Sequence, residues 1–426
     1  MEKSPRLYGE LLALCGQAGQ WRDERHLQTL AWMVGGLIQA EGVKLTAWVP
    51  FVHSRARYAQ STQRRFRRWL GNRRIEVSPL YGPLIAQALQ EWGTHTLYLA
   101  LDTSLLWNQY CLIRLSVVYR GRAVPIVWDV IEHGSSSVTH AAYEALLDMV
   151  PPLLPAGVKV VFLADRGFAD SELVAHRRRL GWHFRIRLKA TFTVMRPGQT
   201  VCKVEDFALA PGRALFLHQV AITTEQFGPV SLALARHSST GEYWYIVSDE
   251  PTSVQTFEEY GRRFTLEEHF LDDKSHGFQL ESSLVRDAAA LTRLCLVLAV
   301  ATLYLVAQGT QVVTAQKRRW VDPHWLRGNS YLRIGWQWVK TALARGWELF
   351  ATLHLSGMPD PDPCRASAST PVPAPRRPAC VGRSLATPER SGRRRPDLSG
   401  WRDSDRPRPA LRDANPRRCP VQLSSR

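Results

Sequence analysis

Apolar residues recur every three to four positions along the first part of the chain, which is the spacing of an amphipathic helix. The stretches with this spacing are LLALC, LQTLAWMVGGLIQ and LIAQALQEW, and polar residues separate them. A helix with one apolar face buries that face against other elements. The pattern therefore predicts an α-helical region over residues 1–92.

The pattern changes at about residue 94, where β-rich runs replace the helical spacing. THTLYLALDTS, YCLIRLSVVYRG and RAVPIVWDVIEH predict three strands, and a short Arg-Gly-Arg turn joins the last two. Helical and strand patterns then alternate through HAAYEALLDMVPPLL, VKVVFLAD, DSELVAHRRRLG and WHFRIRLK. A meander followed by helix, strand, helix and strand predicts a mixed α/β sheet over residues 93–189.

Residues 190–250 are again rich in strand patterns, separated by glycine, proline and polar turns, and they predict a β-rich insertion. Residues 251–345 return to helical patterns and supply the second part of the α/β domain. Their apolar run from Leu294 to Ala307 has 14 residues. That is shorter than the roughly 20 residues needed to span a bilayer, so we expect a buried helix.

The end of the chain differs in kind from the rest. Residues 357–426 hold 15 arginines, no lysine and 13 of the 26 prolines. Such a composition cannot bury enough apolar surface to offset the backbone entropy lost on folding. We therefore predict a disordered, basic, Arg/Pro-rich tail, which either binds nucleic acid without sequence preference or carries no function of its own.

The net charge of +17 and the pI near 9.9 indicate a polyanionic partner, nucleic acid before an acidic membrane surface. The seven cysteines form no CxxC pair, so they suggest neither a zinc site nor a disulfide framework. They favour a reducing compartment. The N-terminus has no long apolar segment typical of a secretory signal. These features predict a cytoplasmic protein.

One stretch of the helical region is unusually basic. In RARYAQSTQRRFRRWLGNRR, arginines interleave with Phe66, Trp69 and Leu70. A basic helix with an apolar anchoring face suits contacts to DNA phosphates. The alternative is a surface helix whose arginines lie along apolar neighbours with their charges in water. The arginines that we expect to contact DNA are Arg64, Arg65, Arg67 and Arg68.

Two aspartates stand where predicted strands end. Asp102 closes TLYLALD, and Asp165 closes VKVVFLAD before an ArgGlyPhe turn. Ligands bind at the carboxyl ends of strands in α/β sheets, although either aspartate alone could be an ordinary cap or turn residue. If these two strands are neighbours, the carboxylates lie within reach of one cation, and Mg²⁺ takes carboxylate ligands of this kind.

A third carboxylate comes from the charged helix YGRRFTLEEHFLDDK. At about 100° per residue, Tyr260, Arg263, Glu267 and Lys274 fall within roughly 60° of each other on one face. The alternative is a solvated face held by i,i+4 ion pairs of about 0.2–0.5 kcal/mol each. With Glu267 added to the two aspartates, the set can hold two metal ions. The remaining acids of this helix are expected on the solvated face, and they are Glu268, Asp272 and Asp273.

These motifs together resemble the DDE transposases of the insertion-sequence-four group. The matching features are the aspartate in LALDTS, the AspArgGlyPhe turn at 165–168, and a signature of Tyr, two residues, Arg, three residues, Glu, six residues and Lys. The signature is met by Tyr260, Arg263, Glu267 and Lys274. The resemblance covers roughly residues 10–345 and has no counterpart for the tail.

The resemblance implies an RNase H-like catalytic domain that performs cut-and-paste DNA transposition. It implies that Asp102, Asp165 and Glu267 bind two Mg²⁺ or Mn²⁺ ions, and that Tyr260, Arg263 and Lys274 contact the transposon end. The partners would be double-stranded DNA, as terminal inverted repeats and target, and a second copy of the chain in the synaptic complex. A hairpin intermediate and a location at the bacterial nucleoid follow from the same resemblance.

Two further assignments remain more open. Family members hold a flipped base with an aromatic residue of the insertion, and Trp244 in EYWYIVSD is the candidate, with a core strand aromatic as the alternative. His133, His140 and His269 are expected in structural or surface roles. Two other functions stay possible on the sequence: a nuclease with the same triad, and a non-catalytic DNA-binding protein derived from a transposase.

Overall fold

The computed structural model describes residues 4–18, 21–54, 56–363 and 374–375. These residues belong to one compact unit, Met1–Arg377. Most of the predicted basic tail, residues 364–373 and 376–426, lies outside the described residues. The first part of that tail packs on the folded unit, because Asp360 accepts hydrogen bonds from Tyr331 at 2.5 Å and Arg327 at 2.9 Å.

The N-terminal quarter of the described chain is helical, as the spacing of apolar residues predicts, and further helices flank and follow the strands. The α-helices are α1 Ser4–Ala18, α2 Glu24–Ala40, α3 Leu45–Trp48, α4 Ala59–Leu70, α5 Val77–Ala88, α6 Glu144–Asp148, α7 Ser171–Arg179, α8 Val254–Gly261, α9 Phe264–Leu271, α10 Ala288–Thr314 and α11 Tyr331–Arg345.

One continuous mixed sheet contains every strand of the described residues. The strands are β1 Thr96–Leu106, β2 Tyr110–Tyr119, β3 Arg122–Glu132, β4 Lys159–Ala164, β5 His183–Arg187, β6 Thr193–Met195, β7 Cys202–Lys203, β8 Arg213–Ile222, β9 Phe227–Arg236, β10 Tyr243–Ser248 and β11 Ala374–Pro375. Their order is β3-β2-β1-β4-β5-β10-β9-β8-β6-β7, with β11 paired to β8. The sheet confirms the mixed α/β prediction.

The first five strands place the two predicted aspartates. Strands β1, β2 and β3 form an antiparallel meander, and β4 and β5 run parallel to β1. Strand β1 continues to Leu106, so the prediction that it ends at Asp102 is wrong. Strand β4, however, stops at Ala164, which pairs with Leu101. Asp102 and Asp165 are therefore the residues directly after this pair, side by side on two adjacent parallel strands.

The predicted β-rich segment over residues 190–250 extends the same sheet. Strand β10 pairs antiparallel with β5, through Ile246 and Arg187 among others, and β9 and β8 continue outward from it. Helix α8 begins six residues after β10 ends and is capped by Ser253, whose side chain accepts from the amide of Gln255. The segment thus connects the sheet directly to the helices that carry Glu267.

Helix α10 crosses the centre of the core. It has 27 residues rather than the 14 of its most apolar run, and by length and composition it could cross a membrane. Of its most apolar window, 89% is buried inside the protein, in accord with the predicted buried helix. Helix α11 approaches it closely because both carry glycine at the contact. A Cβ on Gly309 or Gly335 would overlap backbone atoms of the facing helix.

The charged segment that follows β10 is divided, whereas its sequence predicts a single helix. Helix α8 ends at Gly261 and α9 begins at Phe264. Between them the amides of Arg262 and Arg263 bond to carbonyls three residues back, as in a 3₁₀ turn. After Leu271 the backbone forms a π-helical turn over Asp272–His276. Each change alters the direction in which the following side chains point.

Candidate active site

Asp102 and Asp165 lie at the carboxyl edge of β4, in the centre of the sheet. The Asp102 side chain is 17% exposed, and its Oδ1 accepts a hydrogen bond of 2.8 Å from the amide of Thr103. Asp165 is half-buried and begins the turn that ends at Phe168. The parallel pairing of β1 and β4 accounts for this placement, because neither carboxylate is near the other in sequence.

Arg263 connects Asp102 to Glu267. Its Nη1 lies 2.8 Å from Oδ2 of Asp102, and its Nη2 lies 2.5 Å from Oε1 of Glu267. The Arg263 side chain is 4% exposed, whereas that of Glu267 is 52% exposed. One guanidinium therefore holds two carboxylates from different elements, and the more exposed one faces the solvent side of the cluster.

Tyr260 reaches the remaining aspartate. Its hydroxyl donates to Oδ1 of Asp165 at 3.3 Å, and its ring is fully buried. The Trp244 ring packs edge-on against Tyr260, with ring centres 5.7 Å apart, and lies 5.8 Å from that of Phe264. Trp244 thus belongs to the packing between β10 and the Glu267 helices. Its predicted contact with a flipped base stays a prediction.

Lys274 lies at the far end of the same edge. Its Nζ donates to the carbonyl oxygen of Leu105 at 2.6 Å and lies 3.6 Å from Oε1 of Glu281. Leu105 lies in the part of β1 that continues beyond Asp102. All four signature residues therefore line one edge of β1 and β4, although Lys274 sits in the π-helical turn rather than on α9.

The electrostatics of Asp102 reflect this crowding of carboxylates. Burial raises its pKa from the usual 3.8 to about 6, and the charges of Glu267 and Asp165 add to the increase. Arg263 and the Thr103 amide act in the opposite direction. A carboxylate that is disfavoured by burial and by like charges gains most from a bound cation.

One family model matches a segment that contains much of this sheet edge. Residues 108–304 match the family model of the transposase DDE domain. The match supports a DDE-type transposase. The matched DDE domain contains Asp165 and Glu267, and it begins six residues after Asp102. It spans just under half of the chain.

Among the solved structures that the chain resembles is the cryo-EM structure of a piggyBac transposase synaptic complex with hairpin DNA, at 11% sequence identity. The TM-score is 0.44, and the alignment covers 80% of this chain and 78% of that chain. No curated protein matches the chain significantly.

The other acids of the Glu267 segment are placed differently from the sequence expectation. Glu268 is 58% exposed, as expected of a solvated face. Asp272 is 17% exposed and pairs with Arg122 at 3.0 Å, and Asp273 is 1% exposed and pairs with Arg114 at 2.5 Å. The expectation that Asp272 and Asp273 face solvent is therefore wrong. The π-helical turn directs Asp273 into the protein core.

Three histidines were expected in structural or surface roles. His269 is 1% exposed beside Asp273, and burial lowers its pKa to about 4, in accord with a structural role. His133 is exposed, and its Nδ1 lies 2.7 Å from the carbonyl oxygen of Ser135. His140 is buried and contacts His176, a residue that the sequence alone did not single out.

The basic stretch forms helix α4, with the predicted division of its faces. Phe66, Trp69 and Leu70 are buried, and the guanidinium of Arg65 stacks over the Trp32 ring at 5.1 Å. The arginines exposed on the outer face are Arg64, Arg65, Arg67 and Arg68. A cavity of about 710 Å³ opens beside this helix, and its cationic lining residues are Lys44, Arg67, Arg73, Arg286 and Arg293.

Two arginines of this cavity, Arg286 just before α10 and Arg293 within it, were not singled out by the sequence. Arg286 packs over the Trp107 ring at 3.6 Å, at the turn between β1 and β2. Arg293 donates to the carbonyl oxygens of Ile75 and Leu70. Nothing in the spacing of these residues links them to α4, because the contact depends on the packing of α10 against the N-terminal helices.

Proposed function

We propose that this chain catalyses metal-dependent cut-and-paste DNA transposition, with cleavage at terminal inverted repeats and strand transfer into target DNA. The observation that carries the proposal is the convergence of Asp102, Asp165 and Glu267. These residues come from three distant segments, and Arg263 and Tyr260 link them at one sheet edge. The match to the transposase DDE domain agrees with this assignment.

The strand arrangement supports an RNase H-like catalytic domain. An antiparallel meander β1-β2-β3 with β4 and β5 parallel to β1, in the order β3-β2-β1-β4-β5, is what such a domain requires. The Tyr-Arg-Glu-Lys spacing supports membership of the insertion-sequence-four group. In this proposal residues 93–189 and 251–345 form the catalytic domain, residues 190–250 are its β-rich insertion, and residues 1–92 bind DNA.

The site suits hard divalent cations. Its donor atoms are carboxylate oxygens, and burial, with a smaller contribution from Glu267 and Asp165, raises the pKa of Asp102. We assign Asp102, Asp165 and Glu267 as ligands of two Mg²⁺ or Mn²⁺ ions. Held by these carboxylates, such ions would supply the activation of an attacking water or 3′-hydroxyl and the stabilisation of the leaving oxygen.

The neighbouring side chains position these ligands and the DNA. Tyr260 orients Asp165 through its hydroxyl, and Arg263 orients Asp102 and Glu267 while the site is free of DNA. Once the charges of the three carboxylates are neutralised by cations, the Arg263 guanidinium is released from Asp102 and Glu267. It can then bind a phosphate of the transposon end, for which its planar fork is suited. Lys274 contributes a second phosphate contact at the far end of β1.

Binding of the inverted repeats would use the cationic surface of the N-terminal region. Arg67, one of the exposed arginines of α4, also lines the adjacent cavity, and phosphate contacts of this kind supply most of the affinity for DNA. Pairing of two ends requires at least a homodimer in the synaptic complex. The chain would act in the bacterial cytoplasm at the nucleoid, with the basic tail as an added DNA contact.

Two other functions use part of the same surface. A nuclease would cut DNA with the same three carboxylates and without strand transfer. A non-catalytic DNA-binding protein derived from a transposase would keep the basic helix α4 and have no need of the carboxylates. Strand transfer of a pre-cleaved end into a plasmid distinguishes a transposase from a nuclease, which would not perform it. Nicking of DNA in Mn²⁺ distinguishes both enzymes from a non-catalytic DNA-binding protein.

The proposal is tested by comparing Glu267→Gln with Glu268→Gln. The two acids are adjacent and similarly exposed, but only Glu267 contacts Arg263. On a duplex with the element's inverted repeat, we expect Glu267→Gln to lower cleavage at least about a thousandfold while end binding persists. Glu268→Gln should retain cleavage within about threefold. Equal losses, or no nicking by the unaltered protein, would rule out this active site.

A further inference from the structure

Two buried histidines meet beside the turn that carries Asp165. His140, in the short helical turn before α6, is 8% exposed, and His176 of α7 is 1% exposed. Nε2 of His140 lies 3.2 Å from Nδ1 of His176. The mechanism proposed above uses neither residue. Their position, with three carboxylates around them, requires a separate explanation.

The two imidazoles face each other through one ring nitrogen each. His176 Nε2 lies 2.6 Å from Oδ1 of Asp148, so this nitrogen carries the proton and Nδ1 is the acceptor. On the far side of His140, Nδ1 faces the carboxylates of Glu144 at 4.0 Å and Glu172 at 3.8 Å.

The distances match those of a metal site. Two ligand atoms at 2.0–2.1 Å from a tetrahedral Zn²⁺ are about 3.3 Å apart, close to the 3.2 Å between the two imidazoles. One atom each from His140, Glu144 and His176 lie within 4.8 Å of one another. The other oxygen of Glu144 is held by Arg179 at 3.3 Å, which leaves Oε2 directed toward His140.

We propose that His140, Glu144 and His176 bind a Zn²⁺ ion, with an open fourth position on the solvent side. Glu144 is 43% exposed, so it can rotate onto the ion, and its exposure provides an entry path. Asp148 supports the site from outside, because a carboxylate that accepts from the second nitrogen of a ligand histidine fixes its tautomer and orientation. Two imidazoles favour zinc over the Mg²⁺ suited to the carboxylate triad.

A bound ion at this site would hold two segments of the chain together. The ion joins the segment around α6 to α7, which begins just after the turn from Asp165 to Phe168. Tyr143 lies between them: its ring packs on Phe168 with ring centres 5.5 Å apart, and its hydroxyl donates to Asp170 at 3.2 Å. The bound ion therefore holds the turn that presents Asp165, as a positioning element outside the reaction itself.

The test is metal binding by the full chain. The protein is freed of metal with a chelator and titrated with Zn²⁺ by calorimetry in excess Mg²⁺, which fills sites made only of oxygen ligands. We expect about one Zn²⁺ per chain. Co²⁺ in its place should give the visible absorption of a tetrahedral site. Glu144→Gln should weaken Zn²⁺ binding at least tenfold, and His176→Gln should abolish it.

His183→Gln is the matched control, because His183 also pairs with a carboxylate, Asp249 at 2.7 Å, without a second histidine. It should leave the affinity for Zn²⁺ unchanged. If His176→Gln does not fold, Glu144→Gln decides, since its side chain is partly exposed. Absence of Zn²⁺ binding by the unaltered protein, or equal affinity in Glu144→Gln, would overturn the proposal and leave a hydrogen-bonded histidine pair.

Discussion

Two arginine–carboxylate groups flank the same helical segment, and they differ in what surrounds them. Arg114 and Asp273 are each 1% exposed and pair at 2.5 Å, with the Phe270 ring 5.2 Å from the guanidinium. Arg263 is also buried, but one of its partners, Glu267, is 52% exposed. The first group is enclosed by the core, whereas the second opens to solvent at the sheet edge.

The difference separates a structural pair from a pair that can exchange partners. A buried ion pair costs desolvation of both charges, and it cannot release either one without leaving an unpaired charge in the core. Glu267 can leave Arg263 and be hydrated at once. The same residue types, a few positions apart, are therefore suited to opposite roles, and burial rather than sequence spacing decides between them.

The largest effect is expected from the enclosed group. Asp273→Leu leaves the Arg114 charge buried and unpaired, so we expect the free energy of unfolding to fall by about 3–5 kcal/mol. Glu267→Leu, at the open group, should lower it by less than about 1 kcal/mol, because this carboxylate is half exposed. Chemical denaturation of both variants measures the contrast.

Replacing both partners sharpens this result. Arg114→Met with Asp273→Leu removes both charges, and such exchanges are often neutral or stabilising. We expect the double variant to recover most of the stability lost in Asp273→Leu. If Asp273→Leu and Glu267→Leu have equal effects on unfolding, the two groups are not distinct in the way described.

The second prediction concerns the pH dependence of stability. The pKa of Asp102 is about 6 in the folded protein against 3.8 ordinarily, so the folded state keeps this proton while the unfolded state loses it. Stability therefore falls as pH rises from about 4 to 6, by about 2–3 kcal/mol from this group. Asp102→Asn should remove that share of the slope when unfolding is measured in chelator.

Glu268→Gln is the control for this measurement, since it removes one exposed carboxylate without touching the cluster. Its pH slope should match that of the unaltered protein. An unchanged slope in Asp102→Asn would show that the folded protein does not raise the pKa of this carboxylate. It would weaken the contrast between the open and enclosed groups.

Much of the site could be predicted from the sequence, because local patterns carry it. The apolar runs that end near Asp102 and Asp165 follow from strand periodicity, and a shared helical face singled out Glu267 from Glu268. Helical geometry was sufficient there, because Arg263 and Glu267 are four residues apart and the backbone between them is nearly regular.

The same geometry failed for Asp273, and the reason is physical. Its burial depends on a π-helical turn and on Arg114 of β2, 159 residues earlier in the chain. Neither the local departure from α-helical geometry nor the long-range partner leaves a periodic signal. The histidine pair at His140 and His176 was not apparent from the sequence for the same reason, since packing between distant segments determines it.

A third prediction addresses the open group itself. Arg263 competes with divalent cations for Asp102 and Glu267, so Arg263→Gln should tighten Mn²⁺ binding about tenfold in the absence of DNA, measured by electron paramagnetic resonance. Binding of the transposon end should weaken in the same variant. Arg262→Gln is the control, because Arg262 is exposed and stacks on Tyr98. Weaker Mn²⁺ binding by Arg263→Gln would contradict this competition.

The smallest effects are expected from arginines that belong to neither kind of group. Within the described residues, Arg64, Arg67 and Arg68 of α4 are exposed and form no ion pair, so their charges can face DNA phosphates without first leaving a carboxylate. Each change to alanine should lower the salt dependence of DNA binding by about 0.9 in slope and weaken all sequences alike. Arg333→Ala, an exposed arginine of α11, should leave the slope unchanged. Equal slopes in the α4 variants and in Arg333→Ala would place the DNA on another surface.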